Sequence, residues 1–255
     1  MTSFERDVGL VTALDRCLTR LADDGRTPPH APCDGDEAAL VGAARALESE
    51  DWVFWGRQLN APALVRGVTP TELLMGGLTA GVSITGALAA RRIVACTLGP
   101  AARLPHAAGL AFAARGRGHI AFADLGAGAI SDGDVHVGVN FAAVLRAPVV
   151  FFIRSRGLTP IVERAEGWGI DGVVVDGHDV VAVRDAVRSA RDAALTRSAP
   201  VWIEARLRAG VGADPRLLAA HDTEVEAALA AAETRVAGLR TSAATAREHP
   251  HGAQA

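Results

Sequence analysis

The chain has 255 residues, 49% of them hydrophobic and 22% charged, with a formal net charge of -3. A chain of this length can bury a sizeable core without cross-links, and its composition is that of a folded rather than a disordered protein. The slight acidity leaves no basic footprint, which argues against nucleic acid as a partner. No apolar run reaches membrane-spanning length and residues 1–7 lack a secretory pattern, so no membrane association is expected and the cytoplasm is the expected compartment.

In chain order, Val8, Val11, Leu14, Leu18 and Leu21 line one helical stripe over residues 5–23, which ends at Asp-Asp-Gly. A polar, proline-containing loop follows at 26–32, and D-G-D-E at 34–37 opens an alanine-rich helix to about Leu47, its acids suited to the N-terminal dipole. D-W-V-F at 51–54 is a short buried strand, and helices are expected at 62–66 and 69–76. Residues 77–95 are rich in glycine and alanine with weak period and receive no assignment, whereas 105–115 read as a helix. The apolar run H-I-A-F-A-D at 119–124 leads into a glycine turn, an amphipathic stretch and a second apolar run at 149–153. Beyond it the pattern predicts a helix at 161–168, a strand at 172–175, an amphipathic helix at 179–196 and a strand at 201–205. A long alanine-rich helix at about 215–239 and a loose tail over 241–255 complete the chain, which has no internal repeat. Strands alternating with helices of these lengths imply an α/β fold, a parallel sheet covered on both faces. The reading divides into an N-terminal helix and loop at 1–33, an α/β domain at 34–215, and a C-terminal helix with a flexible tail at 216–255.

The stretch G-A-G-A-I-S-D-G-D-V-H-V-G-V-N at 126–140 stands between strand and helix, where a parallel sheet places its ligand. Gly126 and Gly128 mark either a ligand turn or a tight connection that uses glycine anyway. S-D-G-D at 131–134 fits a capping box, and His136, one turn further, suits packing or the surface. D-G-H-D at 176–179 reads as a turn followed by a helix cap. Arg154 and Arg156, at the end of a strand, are either anion ligands or a solvated pair; Glu204 suits an ion pair, and Cys96 the core.

Several further stretches stand in the order of one family: D-G-D-E-A at 34–38, E-D-W-V-F at 50–54, L-P-H-A-A-G at 104–109, N-F-A-A-V at 140–144, A-P-V-V-F-F at 147–152 and V-D-G-H-D-V at 175–180. With the glycine turn they resemble the alpha subunit of thiamine-diphosphate-dependent 2-oxo acid dehydrogenases of the pyruvate and branched-chain type, over roughly residues 34–215. The resemblance implies the thiamine-diphosphate-binding (transketolase-like) fold, a parallel sheet flanked by helices. It also implies assembly with a beta subunit whose glutamate activates the thiazolium.

The departures cluster on one ligand. In the family the turn reads G-D-G-A and its aspartate holds the magnesium that binds the diphosphate; here that position is Ala127. The family's second magnesium ligand, an asparagine, falls within Arg154-Ser155-Arg156, and its diphosphate-gripping Tyr-Arg pair falls on Arg57 and Gln58. The family's histidine segment has no counterpart between 76 and 95, and a later histidine loop is shortened to residues 208–215. Magnesium wants near-octahedral oxygen ligands, which a methyl group and a guanidinium do not supply. Arginines and backbone amides at a helix N-terminus still favour an anion.

The resemblance therefore leaves Gly126, Gly128, Ala129, Arg156, Arg57 and His106 as the contacts of a degenerate cofactor cleft, His106 because its helix faces the cofactor in the family. No metal ligand, catalytic residue or resident cofactor is expected; thiamine diphosphate with magnesium applies if the family function is retained. The leading expectation is a non-catalytic structural or regulatory homologue paired with a beta-like partner in a hetero-oligomer. Two alternatives stand beside it: an active dehydrogenase subunit with a divergent, metal-free cofactor site, and a binder of another phosphorylated ligand.

Overall fold

The apolar runs build six parallel strands: β1 (Trp52–Trp55), β2 (Ile93–Ala95), β3 (Ala121–Gly126), β4 (Val149–Ser155), β5 (Asp171–Asp176) and β6 (Val201–Arg206). Their order is β2-β1-β3-β4-β6-β5. The computed structural model describes residues 2–56, 58–95, 99–157, 160–208, 211 and 219–248. Successive strands step outward in opposite directions from β1 and β3, so the topological switch point lies between these two, where the carboxyl ends open a crevice.

Because side chains alternate along a strand, each run feeds two cores. Phe122, Val150 and Phe152 face α1 (Ser3–Asp23), α2 (Glu37–Ala46) and α9 (Val180–Arg197). There Trp55 stacks on Phe122 at 5.2 Å between centroids, and Phe122 lies 5.6 Å from Phe152. Ala121, Ala123, Leu125, Phe151 and Ile153 face α6 (Arg103–Ala113) and α7 (Gly133–Val144), with Trp202 beside them. Among the described residues four short helices join these: α3 (Asn60–Val65), α4 (Pro70–Leu78), α5 (Thr85–Ala89) and α8 (Arg164–Gly167). The last, α10 (Asp222–Glu248), packs on α4 and α1, which places the N-terminal helix in the same core as the sheet. No helix among the described residues is long and apolar enough to cross a membrane.

Two local devices fix the layers. Gly138 lies so close to α6 that a Cβ there would stand 2.7 Å from Leu104 and from the Pro105 nitrogen, so only glycine permits this helix contact. Asp51 is fully buried just before β1 and accepts from the Glu48 and Ile120 amides at 2.9 and 3.0 Å. Arg191 of α9 closes on it with two bonds, Nε to Oδ2 at 2.7 Å and Nη2 to Oδ1 at 3.1 Å. One carboxylate thus joins β1, β3 and α9.

The elements differ from the sequence expectation in instructive places. The unassigned stretch 77–95 holds the end of α4, then α5 and β2; I-V-A is too short to show a period. The capping box expected at 131–134 does not form: a 3-10 turn at Ala127–Ala129 shifts the helix start to Gly133, so Asp132 is the cap position and makes no side-chain cap bond. Of the helix expected at 161–168 only Arg164–Gly167 is helical, because Glu204 captures the Ile161 and Val162 amides at 2.9 Å each. The final helix continues past residue 239 to Glu248, while its expected start near 215 and Cys96 lie outside the described residues. The turn-and-cap reading of 176–179 is met: Asp176 accepts from the His178 amide, and Asp179 caps α9 through the Val181 and Ala182 amides.

Asp51→Ala strips a buried cation of its partner and frees two amides, a change expected to lower unfolding free energy by about 3–5 kcal/mol. Urea denaturation checks it; a loss below about 1 kcal/mol would show that this carboxylate does not join the layers.

Candidate ligand cleft at the strand switch point

A cleft of about 670 Å³ opens where β1, β3 and β4 end, lined by Gly56 and Gln58 after β1, residues 126–129 at the end of β3, and Arg154 and Arg156 at the end of β4. Asp36, Arg103, Asp124 and Asp132 complete its charged lining. The strand register explains the central pair. Gly126 lies beside Arg154, and Asp124, two residues earlier, points to the same side of the sheet. Two opposite charges set in apolar strands therefore meet.

Arg154 commits four of its five N–H donors. Its Nε donates to Asp124 Oδ1 at 2.8 Å and its Nη2 to Asp124 Oδ2 at 3.1 Å, a two-pronged contact. Nη1 donates to both Asp36 Oδ2 and Gln58 Oε1. Arg156 Nη2 reaches Asp36 Oδ1 at 2.5 Å and the Asp34 carbonyl at 2.6 Å. The Asp124, Asp36 and Arg154 side chains are 1%, 4% and 10% exposed, against 45% for Arg156, so the cluster is buried with one arginine at its mouth. Burial alone would lower the Arg154 pKa, but the Asp124 and Asp36 carboxylates outweigh it and hold the guanidinium above its ordinary value.

The turn carrying Asp36 is itself constrained. Gly35 has φ +79°, and a Cβ there would stand 2.3 Å from the Val211 carbonyl oxygen, so glycine is required. Asp36 occupies the cap position of α2 yet makes no side-chain cap bond, its oxygens being committed to the arginines. Glu37, in the first turn, is pushed up from 4.5 to about 7, mainly by burial, against the opposing bonds from its own and the Gly35 amide.

Gly126 and Gly128 are a different case. A Cβ at either position would meet nothing within 4 Å, and neither has a positive φ. Neither packing nor backbone conformation of this chain calls for glycine there; together they leave the cleft floor bare. Ala129 and Arg156 line the same space. His106 does not join them: it is exposed on α6, and its Nδ1 contacts the Ala102 carbonyl at 2.7 Å. Arg57 lies outside the described residues. His136 is a surface contact, accepting from Trp168 Nε1 at 3.1 Å. Asp36, Arg103, Asp124 and Asp132 had no place in the sequence reading of the cleft, and Gln58 stood there only as a position of the family's diphosphate-gripping pair. The available signal was a charge inside each of two apolar runs, A-F-A-D-L and F-F-I-R-S.

Two outcomes follow from this electrostatics. Arg154→Met leaves two buried carboxylates facing each other and is expected to cost about 3–5 kcal/mol of stability by urea denaturation; an unchanged midpoint would mean the carboxylates are solvated. Because Glu37 titrates higher folded than unfolded, the stability it contributes is complete below pH 4.5 and lost as pH rises through about 7. Glu37→Gln should therefore gain on the wild type between pH 5 and pH 8, and parallel stability curves for the two proteins would refute the shift.

Comparison with known proteins places this geometry. Residues 5–208 match the family model described as "Dehydrogenase E1 component". The mitochondrial 2-oxoisovalerate dehydrogenase subunit alpha of Mus musculus is 35% identical over 225 residues, covering 79% of this chain and 51% of that protein. The 2-oxoisovalerate dehydrogenase subunit alpha of Bacillus subtilis (strain 168) is 33% identical over 223 residues, 78% of this chain and 68% of the relative. The 3-methyl-2-oxobutanoate dehydrogenase subunit alpha of Mycobacterium tuberculosis (strain ATCC 25618 / H37Rv) is 34% identical over 209 residues, 75% of this chain and 56% of the relative. The chain spans about half the length of the mouse protein it matches. Among solved structures, transketolase from Campylobacter jejuni superposes with a TM-score of 0.57 at 14% identity over 93% of this chain and 48% of that one, a likeness of fold. The match along residues 5–208 and the similarity to the Bacillus protein identify this chain as a member of the dehydrogenase E1 component family, homologous to the alpha subunits of 2-oxo acid dehydrogenases.

Proposed function

We propose that this chain is an alpha-type 2-oxo acid dehydrogenase homologue whose cleft does not hold magnesium and thiamine diphosphate, and that it acts as a non-catalytic structural or regulatory subunit beside a beta-like partner in the cytoplasm. The observation that carries this reading is the saturation of the cleft by its own charges. Thiamine diphosphate is the cofactor the family implies, and the residues present do not fit it. Ala127 brings a methyl group to the turn, and the oxygens of Asp36 and Asp124 are committed to guanidinium groups. A divalent cation entering here would sit beside Arg154 and Arg156, where repulsion adds to the cost of stripping its water. An incoming diphosphate would in turn face Asp36, Asp124 and Asp132. What the described residues keep is the scaffold: two filled cores and a six-stranded parallel sheet, the features a subunit needs in order to assemble.

One observation favours a second reading. The bare floor at Gly126 and Gly128 leaves room for a ligand that approaches the backbone closely, as a phosphorylated molecule does at the start of a helix. Such a ligand would meet Arg156 at the mouth of the cleft without a metal.

Isothermal titration separates the two. Magnesium with thiamine diphosphate is expected to give no binding heat with the wild-type chain, alone or with its beta-like partner, and to give magnesium-dependent heat with the double variant Ala127→Asp, Arg156→Asn. Binding by the wild type would sink the first reading. Heat from inorganic pyrophosphate without magnesium, lost in Arg156→Ala, would establish the second.

A further inference from the structure

A second cavity, of about 200 Å³, lies between α1, α3, α4 and the turn that leads into α5. Leu18, Leu59, Leu73 and Ile84 supply much of its wall, with Pro28 and His30 from the loop after α1. Its shape comes from the glycine- and alanine-rich stretch that the sequence left unassigned. On α4 a Cβ at Gly76 would stand 2.9 Å from Ile84, and one at Gly77 2.9 Å from Leu18, so this face of the helix carries no side chain. The chain then reverses through two left-handed residues, Ala80 at φ +50° and Gly81 at φ +88°, the first against the steric cost of its own Cβ. The Gly81 amide donates to the Gly76 carbonyl at 2.7 Å, and the Thr79 and Ser83 hydroxyls stand 2.8 Å apart, which holds the reversal in shape.

Among the described residues no aspartate, glutamate or arginine lines this cavity, in contrast to the cleft at the strand ends. His30 is the ionisable group in its wall. The imidazole Nε2 lies 2.6 Å from Asp15 Oδ1, and the other oxygen of Asp15 accepts from the Cys33 amide at 3.1 Å. The Asp15 side chain is 3% exposed and that of His30 12%. A carboxylate accepts on both sides, so the proton between the two side chains belongs to the imidazole, and the neutral ring then presents Nδ1 as an acceptor. No described residue pairs with Nδ1. The Thr27 hydroxyl, in the same wall, is buried and also lacks a partner among the described residues.

We propose that this cavity binds a small uncharged hydrocarbon carrying one hydroxyl group, of the size of phenol, with the hydroxyl donating to His30 Nδ1. The hydrocarbon part packs on Leu18, Leu59, Leu73 and Ile84. An apolar cavity of about 150 Å³ takes a benzene-sized molecule, so this one has room for a ring and one substituent and excludes a nucleotide. A carboxylate would lose its water and meet no arginine. A molecule without a donor would leave the imidazole nitrogen unmatched. The proposal is independent of what the cleft binds, because the two spaces share no lining residue.

Isothermal titration of the full chain at pH 8, where histidine is ordinarily neutral, tests it with phenol, toluene and benzoate. Phenol and toluene are close in shape and differ in the hydroxyl. Phenol is expected to bind saturably at one site and benzoate to give no heat. In the double variant Asp15→Asn, His30→Phe, which leaves no buried charge unpaired, the affinity of phenol relative to toluene is expected to fall about tenfold. Leu59→Trp, at a partly exposed wall position, is expected to abolish binding of both. A measurement on the wild type alone stands beside these: the His30 Nδ1 resonance in nitrogen-15 spectra is expected to shift with phenol and to stay in place with toluene. Absence of saturable phenol binding would overturn the proposal, as would benzoate binding as tightly as phenol. An unmoved Nδ1 resonance, or an unchanged ratio of phenol to toluene affinity in the double variant, would remove His30 as the anchor and with it the proposed ligand class.

Discussion

The contact between Arg154 and the paired carboxylates of Asp124 and Asp36 is the constraint on which the cleft depends. It joins the sheet at β3 and β4 to the turn before α2, and it does so almost out of solvent. Such a cluster is weak evidence for stability, because desolvating three charges offsets much of their attraction. Its consequence is geometric: each charge is fixed by the others, and none can turn toward an incoming ligand without leaving a buried partner unmatched.

The fold was largely readable from the residues because long apolar runs and one strong amphipathic helix carry it. A-F-A-D-L-G, V-V-F-F-I and V-W-I-E-A all became central strands, and residues 179–196 became α9 nearly to the residue. What stayed hidden were features set by contacts distant in sequence. β2 is three residues long and exists because β1 offers it an edge. The late start of the helix expected at 161–168 reflects Glu204, some forty residues on, taking two amides that a helix start would otherwise leave to solvent or a cap. In the cleft, Ala127 and Arg156 were legible against the family's pattern of residues, yet the central pairing was not, because Asp36 and Arg154 are 118 residues apart.

Family membership and local chemistry answer different questions in this molecule. The match over residues 5–208 establishes descent and fold, while activity belongs to the donors at the site. The layers around the cleft are well filled: Phe122, Phe151, Phe152 and Trp202 are entirely buried. The altered positions are gathered at the strand ends.

The three-way junction at Asp51 bears on how the protein comes to be made. Its arginine partner lies 140 residues downstream, so on a ribosome that adds about 5–20 residues per second the acid waits roughly 7–28 s for its counter-charge. Until α9 emerges, seating β1 would bury an unmatched carboxylate, and the first third of the nascent chain therefore gains little by collapsing early. The order of synthesis runs from amino to carboxyl end, but the last lock to close sits near the beginning.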